Sequence, residues 1–399
     1  MTDLFGGAAP FDRSPAPTAM AFVSDPETED LVRRALGDLG IDDADLARGT
    51  VETATVALAR RRTPNLLIVD ISGVENPLVR INELAERCEP EVNVVAIGDR
   101  NDILLYQEMK AVGVSEYFFK PLVRDSLKQV CNRLLKGEVD ERPKNATAGK
   151  LIFVLGTRGG VGATTLAVNA ALRLADKGQR WVMLVDLDLE HGDAALHLGA
   201  SPANALNEAL ERPERVDKLF LERAALHVGA RLDMLASLEP FGRSVPLKED
   251  AVLALIDKLL QRYRFVFVDL PTVAAANLAR ALHTPSACIL VSSASLASAR
   301  DLVRWRDWIG PNTPERRTIH VLNMSGADGA VPEAEFARTV GHSPDVVIPY
   351  DRGIAAGSSL GAKAAQKSVA LDRGMSRLLR DLAGEADEKP KSVLRRFFG

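Results

Sequence analysis

The sequence predicts an α/β protein built from two doubly wound units in tandem, and three observations predict it. Short apolar runs alternate with helix-period segments from Ala19 onward, a polar stretch at 136–149 interrupts the pattern, and a second series of the same kind begins at Leu151. Strands alternating with helices imply right-handed crossovers and a mainly parallel sheet in each unit.

The runs Ala19–Val23, Asn65–Val69, Val92–Ile97 and Tyr117–Phe119 are the strands of the first unit, and Thr28–Leu39 carries helical periodicity. Leu151–Leu155, Trp181–Val185, Phe265–Val268, Ala287–Val291 and Thr318–Leu322 are the strands of the second. Residues 1–17, with three prolines and the Gly6-Gly7 pair, bury too little apolar surface to offset the entropy of ordering, and predict a disordered leader. The predicted organisation is leader 1–17, first domain 18–136, linker 137–149, second domain 150–384 and tail 385–399.

Apolar residues make up 46% of the 399 residues and charged residues 26%, the balance of an ordinary globular protein. The formal net charge of −4 gives no overall attraction to nucleic acid, which disfavours it as a partner. Cys88, Cys131 and Cys288 have neither disulfide nor zinc spacing, and the six histidines form no metal-ligand grouping. The N-terminus lacks the basic start and apolar stretch of a signal peptide, and no run reaches the roughly 18 apolar residues of a membrane span. A cytoplasmic protein with at most peripheral membrane contact is expected.

The strand Leu151–Leu155 runs into Gly156-Thr157-Arg158-Gly159-Gly160-Val161-Gly162-Ala163-Thr164-Thr165 and then a helical segment. A Gly-rich turn between strand and helix lets backbone N–H groups and the helix N-terminus converge on phosphate. Against G-x-x-x-x-G-K-[ST], Thr157 stands at the first glycine and Ala163 at the lysine. Two carboxylates, Asp186 and Asp188, end the strand at Val185. A third, Asp269, follows Phe265–Val268 and precedes Leu270-Pro271, as a Walker B aspartate holding Mg²⁺ through water requires.

Together these residues resemble the ParA/MinD family of deviant Walker A ATPases, whose variant loop reads K-G-G-x-G-K-T. Arg158 stands where that family has its signature lysine, which reaches the partner's phosphates across a nucleotide-sandwich dimer. The resemblance implies an ATP site formed by Arg158, Gly159, Gly160, Val161, Gly162, Ala163, Thr164 and Thr165. Asn323 at a strand end would contact adenine, and Pro349, in a later loop, would lie near the base. It implies Mg²⁺ held through Thr164, Asp186 and Asp269, with Asp188 and Asp269 serving any turnover. A lost charge-assisted hydrogen bond is worth roughly 1.5–3 kcal/mol. Ala163 should therefore weaken nucleotide affinity about 10- to 100-fold, and losing a preorganised donor slows chemistry by roughly 10²–10³.

In the first unit Asp70 ends an apolar strand and Lys120-Pro121 follows Tyr117–Phe119, which resembles the receiver domain of response regulators, a flavodoxin-like fold. Asp70 would be the phosphoacceptor. Ser24-Asp25 stands in place of two acids, and Gly98 where a receiver carries Ser or Thr, so a docking or dimerising role is the expectation.

The tail segment Val393–Phe398 can place leucine and two rings on one helical face and Arg395-Arg396 on the other. It resembles the membrane-targeting tail of MinD proteins. A receiver-like unit ahead of a ParA/MinD-like unit, with G-D-A-A-L-x-L-G at Gly192–Gly199, resembles the CpaE/TadZ family of Flp (Tad) pilus assembly proteins. That implies a homodimeric localisation factor at a cell pole or inner membrane, recruiting the pilus secretion ATPase and other Tad assembly proteins. An active positioning ATPase on membrane or DNA, and a protein regulated by phosphorylation of Asp70, are the rival expectations.

Overall fold

The computed structural model describes residues 14, 16–137, 149–176, 178–202, 204–240, 247–354 and 368–383. The predicted leader, linker and tail fall largely or wholly outside the described residues. Two compact units emerge. One is Met1–Gly149 with Gly178–Val182 and Asp257–Phe265, and the other is the remainder.

The front sheet has five strands: β1 (Ala19–Val23), β2 (Asp45–Arg48), β3 (Leu66–Asp70), β4 (Asn93–Gly98) and β5 (Glu116–Phe119). Their order is β2-β1-β3-β4-β5, and every adjacent pair is parallel. This is the doubly wound 2-1-3-4-5 order. Successive side chains of a strand face opposite ways. Met20, Phe22, Leu67 and Val69 accordingly enter one core, while Ala19, Ala21, Leu66 and Ile68 enter the other. Helices α1 (Pro26–Gly37), α2 (Val51–Leu58), α3 (Pro77–Arg87), α4 (Ile103–Ala111) and α5 (Arg124–Leu135) complete the unit. Helix α1 starts sharply because Pro26 presets its first turn and the Asp25 carboxylate accepts the Thr28 N–H at 2.8 Å.

The larger sheet has eight strands. In chain order they are β6 (Lys150–Gly156), β7 (Val182–Asp186), β8 (Leu226–His227), β9 (Leu232–Leu235), β10 (Phe265–Leu270), β11 (Ser286–Ser293), β12 (Arg316–Ser325) and β13 (Val346–Pro349). Their spatial order is β13-β12-β11-β6-β10-β7-β9-β8. Strand β11 pairs in parallel with β6 and β12, β12 with β13, and only the terminal β8–β9 pair is antiparallel among the registers resolved. The two-unit α/β architecture with mainly parallel sheets is therefore as the sequence predicts.

Helix α6 (Ala163–Asp176) is buried without interruption from Leu166 to Ala175. A helix apolar nearly all round belongs inside a fold, and α6 anchors the loop that precedes it. Cys88, Cys131 and Cys288 are buried and belong to no disulfide. Among the described residues no helix is long and apolar enough to cross a membrane.

Candidate nucleotide site

The loop between β6 and α6 has the backbone that its glycines permit. Gly160 and Gly162 adopt φ of +79° and +87°, a region L side chains rarely enter. A Cβ on Gly162 would also stand 2.5 Å from the Asn323 amide nitrogen. That amide donates to the carbonyl of Val161 at 2.9 Å, tying the end of β12 to the loop.

Thr157, at the position of the missing first glycine, is an anchor. Its N–H donates to Val291 at 2.8 Å, its hydroxyl pairs with that of Ser298 at 2.7 Å, and its carbonyl accepts the Trp305 indole N–H at 3.2 Å. Thr272 Oγ1 donates to the Gly156 carbonyl at 3.0 Å. Ser298, Trp305 and Thr272 belong to no motif, so nothing in the sequence marks them as loop supports.

Arg158 points outward, its side chain 44% exposed and its guanidinium 4.0 Å from Asp301. Asp301 also faces Arg300 at 2.8 Å and Arg304 at 3.9 Å. Arg158, Gly159, Arg300, Arg304, Trp305 and Trp308 line an open cavity of about 910 Å³. Ala163 begins α6 and brings no charge to the loop.

The predicted metal carboxylates converge at neighbouring strand ends. Asp186 ends β7 and Asp269 lies near the end of β10, both buried. Asp186 Oδ1 accepts the Asp188 N–H at 3.1 Å and Oδ2 accepts the Ala194 N–H at 3.2 Å. A Cβ on Gly192 would sit 2.5 Å from Asp186 Oδ2, which explains the glycine there. Asp188 is more open and accepts the His191 N–H at 3.0 Å.

Burial, then the charge of Asp269, pushes the Asp186 carboxyl above its usual range. Burial likewise raises Asp269, offset in part by the Thr164 hydroxyl and reinforced by Asp188. Buried carboxylates that repel one another beside a threonine hydroxyl suit a divalent cation, which would relieve both burial and repulsion. The Thr164 hydroxyl acts on the Asp269 carboxyl, so the two are neighbours, and this donor set fits Mg²⁺.

The base-side residues also meet. Gly162, Thr165, Asn323, Pro349 and Asp351 line one small pocket. Pro349, expected in a loop, instead ends the edge strand β13.

In the front unit Asp70 is wholly buried. Its Oδ2 accepts Ser24 N at 3.0 Å, Ser24 Oγ at 2.5 Å and Lys120 Nζ at 2.6 Å, and its Oδ1 accepts Ser72 N at 2.8 Å. Burial opposes ionisation, but these donors outweigh it and hold the carboxyl below its ordinary value. Lys120 also bonds Asp25 at 2.7 Å. Beside Gly98, the space a side chain would take is filled by Tyr117, whose hydroxyl lies 2.5 Å from a built Cβ and donates to Arg100 O at 2.7 Å.

A Gly-rich loop entering a buried helix, with carboxylates at two neighbouring strand ends, defines an α/β protein of the P-loop class. No protein-family model matches the chain. A ParA-family ATPase from Chlorobium tepidum superposes with a TM-score of 0.51 at 22% identity, covering 58% of this chain and 98% of that one. The larger unit thus has the ParA/MinD-type ATPase fold. The antiactivator FleN of Pseudomonas aeruginosa is 45% identical over 73 residues, 18% of this chain and 26% of FleN. The pilus assembly protein CpaE from Caulobacter crescentus is 33% identical, covering 29% of this chain and 97% of that one, with a TM-score of 0.28. The chain spans between about a quarter and three-fifths of the lengths of the curated relatives it matches.

Proposed function

We propose that the protein is an ATP·Mg²⁺-binding, homodimeric positioning scaffold with feeble or no ATPase activity. In this reading it serves Tad (Flp) pilus assembly, cytoplasmic or peripheral at the inner membrane and a cell pole. The observation that carries this reading is a loop with positive-φ glycines at Gly160 and Gly162 that retains Thr164, and Asp269 at a neighbouring strand end, while Ala163 stands at the lysine position. Backbone amides and the N-terminus of α6 cradle phosphate without a side chain. Thr164, Asp186 and Asp269 would hold the cation, which when bound neutralises phosphate charge. Asp188, the exposed carboxylate, would orient water for whatever slow turnover remains. Arg158, exposed beside the loop, would reach a second copy's phosphates bidentately in this reading.

The pilus assignment rests on the order of the motifs along the chain, with the secretion ATPase and other Tad proteins as the partners it implies. The front unit serves as a docking or dimerising module in this reading. Asp70 has no exposed surface and both of its oxygens are engaged, which favours a structural role over phosphotransfer.

Titration with ATP·Mg²⁺ tests the reading, with turnover assayed alongside. Micromolar or weaker binding is expected, with turnover barely changed by Asp269→Ala. Robust hydrolysis that Asp269→Ala abolishes would overturn it in favour of an active positioning ATPase.

A further inference from the structure

Helix Val369–Ala383 lies far along the chain from the phosphate loop, yet it is tied to two residues that line the base-side pocket, Asp351 and Thr165, and to the strand that carries a third, Pro349. The first tie is at its N-terminus. The Ser368 hydroxyl donates to Asp351 Oδ2 at 2.6 Å and accepts the Leu371 N–H at 3.2 Å, so one side chain both caps the helix and fixes a pocket wall. Asp351 Oδ1 accepts the Gly353 N–H at 2.7 Å. These bonds, Ser368 first, hold the Asp351 carboxyl below its ordinary value.

The second tie is a close approach. A Cβ on Gly374 would lie 2.7 Å from Ile348 Cγ1, so only glycine lets the helix press on the strand that ends at Pro349. The third is a polar ladder along α6. Asp372 accepts from Arg173 Nε at 3.0 Å, Arg173 Nη1 donates to Asn169 Oδ1 at 2.8 Å, and Asn169 Nδ2 donates to the Thr165 carbonyl at 2.8 Å. Arg173 is 6% exposed, and apart from Asn169 the buried run Leu166–Ala175 around it is apolar. A buried charge is kept only where a partner compensates it, and here the partners lead from the C-terminal helix to the loop.

We propose that Ser368 is a positioning residue for the nucleotide base: through Asp351 it sets the wall against which the base packs, while Gly374 and the Arg173–Asp372 pair hold its helix in place. The inference rests on the reading that this site binds ATP. The base, not the phosphates, should therefore feel a change at Ser368.

The test compares ATP with inorganic tripolyphosphate, which offers phosphates and no base, by titration calorimetry on the full chain with Mg²⁺. Ser368→Ala should weaken ATP at least about fivefold, the lower end of typical coupling between linked groups. It should leave tripolyphosphate affinity unchanged, and Ser368→Thr, which keeps the hydroxyl, should restore ATP binding. Unchanged ATP affinity in Ser368→Ala overturns the inference, as does a parallel loss of both ligands, which marks general damage to the fold. Failure of the unsubstituted chain to bind ATP at all would instead remove the functional reading beneath it.

Discussion

The amide of Asn323 donates to the carbonyl of Val161 at 2.9 Å, and the space beside that bond is left open by Gly162. The end of β12 and the phosphate loop are thereby locked together at a residue whose φ of +87° already excludes most side chains. Gly162→Ala meets both obstacles. It should cost about 1–3 kcal/mol in strain and displace Asn323, so that ATP binding is lost along with several degrees of melting temperature. Calorimetric melting with and without ATP·Mg²⁺ checks it, and a variant that melts and binds like the parent would contradict the geometry.

Restoring the lysine tests the opposite direction. Ala163→Lys supplies the charge-assisted donor that the loop lacks and should tighten ATP roughly 10- to 100-fold. Turnover should rise less than affinity, because Asp188, the carboxylate assigned to water, is already engaged by the His191 N–H. Single-turnover assays separate the two effects.

Much of this site could be read from the sequence, and the parts that could not share a cause. The loop, Asp186, Asp188 and Asp269 are legible because apolar strands must end before a carboxylate can reach solvent or ligand. Strand β2 was invisible: its Asp45-Leu46-Ala47-Arg48 is a polar edge strand without alternation. Strand β13 is short, and its Val-Val-Ile-Pro ends in the residue that usually marks a loop, so Pro349 was expected outside the sheet. Supports such as Thr157–Ser298 join residues 141 positions apart, and no local pattern encodes such a pair.

The carboxylate cluster makes stability depend on pH with a definite sign. Asp186 and Asp269 have folded-state values raised above their unfolded ones, so the folded state holds extra protons in the window between the two. Their contribution is full below the unfolded value and is lost as pH rises through the folded one. Without metal, the melting temperature should fall between about pH 4 and about pH 8 beyond what the rest of the chain explains. Asp269→Asn should flatten that slope, and Mg²⁺ with ATP should stabilise the parent more at the alkaline end. An equal slope in parent and variant would show that the cluster does not repel.

Gly98 and Tyr117 give a prediction for the front unit. Receiver-like chemistry would need a hydroxyl at position 98, but a built Cβ there stands 2.5 Å from the Tyr117 hydroxyl. Gly98→Ser should therefore overpack the end of β4, costing about 1–3 kcal/mol, and should not confer labelling by a small phosphodonor. Tyr117→Phe removes the offending oxygen along with its bond to Arg100. The double variant should then be less destabilised than the sum of the two single changes, with a coupling of about 0.5–3 kcal/mol. Additive losses would mean that the serine finds room elsewhere, and labelling of Gly98→Ser that vanishes in Asp70→Asn would restore a phosphoacceptor role to Asp70. The expected result leaves Asp70 as the buried counter-charge of Lys120, an ion pair that ties the end of β3 to the residue after β5.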